Sequence, residues 1–306
     1  MTYPISENVW SRLICSTCGN KLERTKDGAR CPKCGLEYGY TDSGAIDLRL
    51  KKNKKYDIEF ELGNSSLPAD GSKFNRLKLN PLPEVDLSGL RLPRHLTREI
   101  LSYFPKAKSQ NSLMLDLGCG GGIHKDVCEA AGFEWVGLDY ESPGAPILGD
   151  AHSLPFLDDT FEFILCVTVL QYVRYPFVMM REAYRVLKPG GKFIGTVAFL
   201  EPSHGTSFYH HTHLGTFNSL QSGGFTVEQV APSEKWSALT ALASMGLFHG
   251  LPRGLSQAIV FPLQLLHKLW WQFAGLITGR NLDELRIRHF TGSFTFIASK
   301  DDKGAA

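Results

Sequence analysis

"LDLGCGGGIH", residues 115–124, is the stretch that decides the fold class. Its apolar start predicts a buried strand, and the four glycines that follow predict a loop where main chain can approach a ligand closely. A dinucleotide fingerprint, G-x-G-x-x-G, would need a sixth-position glycine, but counting from Gly118 that position is Ile123. The loop therefore favours a small zwitterionic ligand over the pyrophosphate of a dinucleotide.

Strands and helices alternate around this loop from residue 93 onward. The pattern predicts the strands "LMLDLG", "WVGLD", "PILGDA", "FEFILCV" and "KFIGTVAFL". It also predicts a helix near 94–105, a helix after the glycines, and a helix that begins at Pro176. This alternation is typical of a doubly wound parallel α/β sheet, in which ligands bind beyond the carboxyl ends of the strands.

The helix from Pro176 can be predicted in more detail. Its apolar face is expected to contain Phe177, Met180, Tyr184 and Leu187. The Pro189-Gly190-Gly191 triplet is expected to end it.

Two acidic residues end the next strands along the chain. Asp139 comes about 20 residues after the glycines, where a carboxylate can accept two ribose hydroxyls. Asp150, in "GDAHSLPF", could accept a hydrogen bond from an adenine amino group while Ala151 supplies a main-chain N–H. The spacing therefore predicts an adenosine-containing ligand.

Together these segments resemble class I S-adenosylmethionine-dependent methyltransferases of the methyltransferase type 11 kind. "LDLGCGGG", "VGLDYE", "GDAHSLPFLDDTFEFILC", "LQYV" and "LKPGGKF" occur in that family's order and spacing, over roughly residues 95–230. The resemblance implies a Rossmann-like seven-stranded sheet with its last strand antiparallel, and S-adenosyl-L-methionine as cofactor. By resemblance, the methionine part faces Asp116, Gly118 and Gly120 in a loop that includes Cys119, the ribose faces Asp139, the adenine faces Asp150 and Ala151, and Tyr140 lines the adenine or ribose face.

Two cysteine pairs lie ahead of this region. Cys15 and Cys18 form one C-x2-C pair, and Cys31 and Cys34 form another after a twelve-residue spacer. This is zinc-ribbon spacing, and a redox pair or unrelated core thiols are the alternatives. A site of four thiolates leaves no open position for water, so the predicted Zn²⁺ is structural.

The chain divides into three predicted parts. Residues 1–50 form the zinc ribbon, 51–92 a linker, and 93–306 the methyltransferase domain, with a helical lid insertion at 234–291. The linker's lysine cluster, "KKNKK", is most simply a solvated surface, and a contact with nucleic acid or phosphate is the alternative.

The insertion separates "FTVEQVAPS" and "GSFTFIASK", which are predicted to be the last two strands and to pair antiparallel. It is apolar around most of the helix circumference, with Pro262 near a bend. A lid over the acceptor site or a homo-oligomer interface is one interpretation. Shallow membrane or lipid contact, with Trp270 and Trp271 at the interface, is the other. Charged residues divide the apolar run into pieces too short to span a bilayer.

The segment "EPSHGTSFYHHTHLGTF" contains four histidines, His204 and the three candidates for a general base, which are His210, His211 and His213. Histidine titrates near neutral pH, so it suits proton removal from a methyl acceptor. Metal binding, or simple lining of a pocket, are the alternatives for these residues. His124 is expected to help close the cofactor site.

The totals constrain the function further. A net charge of +2 and a pI near 8.1 lack the overall basic character of a dedicated nucleic-acid binder. No signal peptide is recognisable, so a cytoplasmic location is expected, with peripheral membrane contact left open.

The leading hypothesis is methyl transfer to a hydroxyl or amine of a small acceptor, an apolar, lipid-like or glycan-like metabolite. One alternative is a resemblance to rRNA guanine-N1 methyltransferases, whose zinc module contacts RNA. This chain departs from them because its second pair is Cys-Cys rather than Cys and His, so nucleic acid is disfavoured. The other alternative is a noncatalytic, methyltransferase-like binding protein.

Overall fold

The computed structural model describes residues 5–59, 72–201 and 206–302. The chain begins with a short helix, α1 (Glu7–Trp10), and a three-stranded antiparallel sheet. The strands of this small sheet are β1 (Glu23–Thr25), β2 (Gly28–Arg30) and β3 (Glu37–Gly39).

A second sheet forms the centre of the protein, and within the described ranges it has eight strands in the order β10-β11-β9-β8-β5-β6-β7-β4. These are β4 (Ile46–Asp47), β5 (Leu113–Leu117), β6 (Glu134–Asp139), β7 (Ile147–Leu148), β8 (Phe161–Val167), β9 (Leu187–Ala198), β10 (Thr226–Pro232) and β11 (Ser293–Ser299). The last strand, β11, is antiparallel to both of its neighbours, and the remaining pairs are parallel. The predicted mixed α/β sheet is confirmed. The eighth strand, β4, was not predicted. It comes from residues 5–50, which we call the N-terminal module.

The central strands are apolar because both faces of the sheet are covered. In β5, Leu113, Leu115 and Leu117 pack into one buried cluster, and Met114 packs into a second. Side chains alternate between the faces of a strand, so a strand with both faces covered must be almost continuously apolar. Asp116 is the exception, a fully buried carboxylate at the end of β5.

Five helices of the described chain join or flank these strands before the insertion is reached, including α1. The other four are α2 (Arg98–Leu101), α3 (Lys125–Ala130), α4 (Pro176–Val186) and α5 (His213–Gly223). The helix expected near 94–105 is reduced to α2. It begins later than expected because His95 has a positive φ of 66° and Thr97 is its N-cap, which accepts a hydrogen bond from Ile100 N.

Helix α4 begins at Pro176 as predicted, but its inward face is rotated from the expected one. The buried side chains include Met179, Met180, Ala183 and Val186, whereas Phe177 and Tyr184 are only half-buried. The helix also ends earlier than predicted, at Val186, and the Pro189-Gly190 pair lies within β9.

The segment between β10 and β11 is helical, as predicted. It contains α6 (Ala238–Ser244), α7 (Arg253–Thr278) and α8 (Asp283–Phe290), and Pro262 lies inside α7. Among the residues that the structure describes, no helix combines the length and apolar character that a bilayer crossing requires.

The N-terminal module is joined to the larger sheet through main-chain hydrogen bonds. β4 pairs in parallel with β7, and Leu13 forms a bridge with Phe156. Ile14 N donates to Pro155 O at 3.0 Å, and Leu157 N donates to Arg12 O at 2.9 Å. The module therefore contacts the loop that follows β7.

Candidate cofactor and acceptor site

The glycine loop connects the carboxyl end of β5 to α3. Gly118, Gly120 and Gly122 all have positive φ, at 77°, 53° and 78°, which L-residues with a side chain rarely adopt. A Cβ on Gly118 would also lie 2.2 Å from Cγ2 of Val169. This part of the loop therefore has both a conformational and a steric requirement for glycine, whereas the space around Gly120 and Gly121 is open.

Asp139 stands beside this loop at the carboxyl end of β6. Its Oδ2 accepts a hydrogen bond from Gly120 N at 2.9 Å, and its Oδ1 accepts from Glu141 N and Ser142 N at 3.1 and 3.0 Å. Parallel pairing of β5 with β6 places the two strand ends together. The predicted ribose carboxylate therefore lies in contact with the predicted methionine loop.

Asp116 is turned toward the protein interior. Its Oδ2 accepts from Trp135 Nε1 at 3.1 Å and lies 3.5 Å from His124 Nδ1, while Oδ1 has no hydrogen-bond partner among the described residues. Its carboxylate is thus held by a hydrogen bond from Trp135 on the next strand, with the His124 ring close by. Cys119 is also buried, and burial raises the pKa of its thiol.

The predicted adenine residues lie at the end of β7. Asp150 Oδ1 accepts from His152 N at 2.9 Å and lies 2.6 Å from His152 Nδ1. Burial raises the pKa of Asp150, but the hydrogen bonds from His152 outweigh it and hold that pKa below its usual value. Tyr175 N donates to His152 Nε2 at 3.0 Å, which leaves Nδ1 as the ring donor to Asp150. Ala151 lies beside this network, half-buried.

The remaining predicted cofactor residue, Tyr140, has an exposed ring at the edge of the site. The Arg49 guanidinium lies 5.7 Å from the centroid of that ring, and Arg49 is held by a salt bridge to Asp47 at 2.8 Å. The N-terminal module therefore contacts both Tyr140 and, through Ser153, the adenine loop: Ser153 Oγ donates to Ser16 O at 2.5 Å.

The four cysteines of the N-terminal module form one cluster. Their Sγ atoms all lie within 4.8 Å of one another, with 3.6 Å between Cys15 and Cys34 and 3.4 Å between Cys18 and Cys31. A tetrahedral zinc site with Zn–S bonds of about 2.3 Å requires sulfur atoms about 3.8 Å apart, so the cluster fits this ion.

The two turns that carry these thiols have the same main-chain geometry. Gly19 N donates to Cys15 O and Gly35 N donates to Cys31 O, both at 2.9 Å, and both glycines have a φ of 71°. The glycine after each pair thus provides the left-handed residue that closes the turn.

A cavity of about 440 Å³ lies at the carboxyl ends of β8 and β9. Its lining includes Thr168 after β8, Ala198 at the end of β9, and Thr295 in β11. Thr168 precedes Val169, which is the residue in contact with Gly118. The cavity therefore adjoins the methionine end of the predicted cofactor site.

The lining of this cavity includes two residues with unusual main-chain conformation and two with an unpaired polar atom. Thr168, with a φ of 55°, and His95 both line it, and they are two of the three non-glycine residues of the described chain with positive φ. Gln171 and Thr196 also line it, and their buried Oε1 and Oγ1 atoms have no hydrogen-bond partner in the described ranges. Buried polar atoms normally have partners, so a polar ligand here would satisfy them.

Glu201 is the acidic residue in the lining of this cavity, and no motif in the sequence marks it. It is 6% exposed, and its carboxylate oxygens are within hydrogen-bonding distance of Gln171 Nε2, Tyr172 OH and Ser207 Oγ, at 3.2, 3.4 and 2.9 Å. These three donors orient the carboxylate. Glu201 begins the histidine-rich segment "EPSHGTSFYHHTH", but two of its three donors, Gln171 and Tyr172, are distant in the sequence.

None of the three candidate base histidines that the structure describes lines the cavity. His210 is exposed with Nδ1 2.8 Å from Phe199 O, and His211 is buried with Nε2 3.4 Å from Leu170 O. His213 begins α5 and packs against Phe74 and Phe294. Burial lowers the pKa of both His211 and His213. His204 lies outside the described residues.

Residues 115–195 match the family model described as a methyltransferase domain. This match begins at the glycine-loop strand and includes Asp139, Asp150 and strand β8, the same residues that the structure brings to one edge of the sheet. The chain contains a class I methyltransferase domain.

Two named proteins illustrate how far the similarity of this domain to its relatives extends. Over 119 residues, 35% of this chain, it is 32% identical to the biotin biosynthesis bifunctional protein BioHC of Cellvibrio japonicus, 24% of which is covered. Over 105 residues, 34% of this chain, it is 30% identical to mitochondrial 2-methoxy-6-polyprenyl-1,4-benzoquinol methylase of Xenopus laevis, 34% of which is covered. The chain thus spans about a third or less of the length of these relatives.

Among solved structures, the chain is similar to an S-adenosylmethionine-dependent methyltransferase from Mesorhizobium loti. The TM-score is 0.42 and the identity 16%, with 65% of this chain and 95% of that chain covered.

Proposed function

We propose that this chain transfers the methyl group of S-adenosyl-L-methionine to a hydroxyl or amine of a small molecule held in the cavity. The observation that carries this proposal is the contact between the glycine loop and Asp139, together with a cavity two of whose lining residues, Gln171 and Thr196, have a buried polar atom without a partner in the described part of the chain. Asp139 would hold the ribose, Asp150 with Ala151 the adenine, and the glycine loop the methionine part, with Asp116 fixed behind it.

The bound cofactor would supply a sulfonium methyl group that is already activated, so the residues of the cavity need only align the acceptor and remove its proton. Among the residues that the structure describes, Gln171 Oε1 has no donor, so it is suited to accept from an O–H or N–H of the substrate. We propose Glu201 rather than a histidine as the base, because Glu201 lines the cavity and the three histidines do not.

The cavity favours a more polar acceptor than the sequence led us to expect. Gln171, Thr196, Ser244 and Gln257 all line it. The relative from Xenopus laevis is named as a methylase of a polyprenyl benzoquinol, a molecule with a polar ring and an apolar tail. An amphiphilic acceptor, whose polar part enters the cavity, satisfies both observations.

We further propose that the four N-terminal thiols hold a structural Zn²⁺. The sulfur separations support this, as does the small core of the module, whose strands are three residues long or shorter. A bound metal supplies folding free energy to modules that bury little apolar surface.

Replacing Asp139 with Asn should weaken cofactor binding at least about tenfold, because a hydrogen bond to a charged group contributes about 1.5–3 kcal/mol. Calorimetric titration of S-adenosyl-L-methionine measures this without any acceptor. Asp301→Asn, at an exposed site near the C-terminus, is the matched control and should bind like the parent protein. Equal affinity in the parent and Asp139→Asn proteins would contradict the proposed ribose contact.

Replacing Glu201 with Gln should lower kcat by about a hundredfold or more while cofactor affinity stays unchanged, because a general base contributes at least this factor. The assay follows the tritiated methyl group on the acceptor identified by a screen of hydroxyl and amine compounds. Glu228→Gln, on the exposed side of β10, is the control for loss of a carboxylate. A Glu201→Gln variant that turns over at the parent rate would exclude this carboxylate as the base.

Metal analysis of the purified protein should find one zinc ion per chain. The double change Cys18→Ser and Cys34→Ser should abolish zinc binding and lower the thermal midpoint, since half of the thiolate ligands are lost. Cys128→Ser, in the buried core, should also lower the midpoint but leave the zinc content at one. Zinc retained by the double variant would argue against this cluster as the site.

A further inference from the structure

Helix α7 has its polarity reversed relative to a surface helix of a soluble protein. Two of its three glutamines face the protein: Gln257 Nε2 donates to Ser244 Oγ at 3.1 Å, and Gln264 Nε2 donates to Thr240 Oγ1 at 2.9 Å. Ser256 is buried. An ordinary amphipathic helix buries its apolar stripe and exposes its polar residues.

The opposite side of α7 is apolar and exposed. Leu266 and Trp270 are 63% and 65% exposed, and Leu276 is 83% exposed. The other large apolar side chains exposed along this helix are Leu255, Ile259, Phe261, Leu263, Leu265, Leu269, Phe273 and Ile277. Soluble proteins rarely expose a contiguous apolar surface of this kind unless it binds a partner or a membrane.

The charges around α7 identify the partner. No Asp or Glu occurs from Lys235 to Leu282, whereas Lys268 lies within the helix and Arg280 just beyond its end. An apolar helix that carries Trp together with Lys and Arg, and no acid, is complementary to the surface of an anionic bilayer. A second copy of the same basic surface would place like charges against each other, so the charge pattern favours lipid over self-association.

The cavity next to α7 also has more basic than acidic residues in its lining. Its lining includes three exposed cations, Arg94, Lys235 and Arg253, and Arg253 is also the first residue of α7. Burial raises the pKa of Glu99, but its hydrogen bond with Thr97 and the nearby charges of Lys235 and Arg76 hold that pKa below its usual value. The acid of the cavity, Glu201, is buried and already hydrogen-bonded. The cavity therefore presents positive charge where it meets the apolar helix.

We propose that α7 docks this chain on an anionic bilayer and that the methyl acceptor is an anionic amphiphile drawn from that surface. Arg94, Lys235 and Arg253 bind its phosphate or carboxylate, and the unpaired Gln171 and Thr196 atoms bind its hydroxyl or amine. The docking step stands on its own, and the assignment of the amphiphile as acceptor rests on the proposed methyltransferase function.

The docking step is tested by sedimentation of the full chain with vesicles. The protein should sediment with phosphatidylglycerol vesicles at least tenfold more strongly than with phosphatidylcholine vesicles, and added salt should reduce the difference. The double change Leu266→Glu and Trp270→Glu should abolish sedimentation with either. Leu82→Glu, at an 82% exposed leucine away from α7, is the matched control and should sediment like the parent protein.

The headgroup step is tested with monomeric dodecyl phosphate and, as the neutral analogue, dodecyl maltoside. Titration should show one saturable site that prefers the phosphate at least tenfold, and Lys235→Gln with Arg253→Gln should remove the preference. Free inorganic phosphate is a third ligand, and binding as tight as that of dodecyl phosphate would point to a soluble phosphate compound and overturn the amphiphile.

Two results would overturn the proposal, the first its docking step and the second its headgroup step. One is that the parent protein does not sediment with vesicles and forms a dimer in sedimentation equilibrium, and that the Leu266→Glu, Trp270→Glu variant is a monomer. The other is equal binding of the phosphate and maltoside amphiphiles. Neither assay contains cofactor, so a failure of the methyltransferase function would show separately, as absent binding of S-adenosyl-L-methionine by the same preparation.

Discussion

The hydrogen bond from Gly120 N to Asp139 Oδ2 joins the carboxyl ends of the two central strands of this protein. It forms because β5 and β6 run parallel in register and because the residues after β5 are glycines that accept positive φ. The same loop contacts Val169 through Gly118, so the position of the glycines fixes the cofactor site relative to the cavity. A different loop conformation would separate the two halves of the proposed site.

The N-terminal module contacts the segments that carry the proposed cofactor residues. Its main chain bonds to Pro155 and Leu157, and Ser16 O accepts from Ser153, next to the predicted adenine residues. Arg49 reaches Tyr140 on the opposite rim. A metal held by the four thiols would thus stabilise a scaffold that contacts residues on two loops of the proposed adenosine site, which gives a physical reason for the two modules to occur in one chain.

Much of the fold could be predicted from the sequence because its signals are local. Apolar runs, glycine turns and Pro176 gave the parallel strands, the loop and the start of α4, and the C-x2-C pairs gave the thiol cluster. The rest depends on tertiary placement. Helix α2 begins late because of the backbone at His95 and Thr97. The carboxylate of Glu201 is oriented by donors such as Gln171, which is distant in the sequence. The glutamines of α7 face inward because their partners lie on α6. No local pattern encodes those contacts.

The most direct test of the cofactor site is hydrogen exchange of main-chain amides, followed by mass spectrometry, with and without saturating S-adenosyl-L-methionine. If the cofactor lies across the ends of β5, β6 and β7, exchange should slow in peptides that cover residues 116–124, 139–142 and 150–153, the three segments joined in this structure. If calorimetry shows that the cofactor binds but exchange in these three segments does not change, the proposed site is wrong. Protection confined to other parts of the chain would contradict it as well.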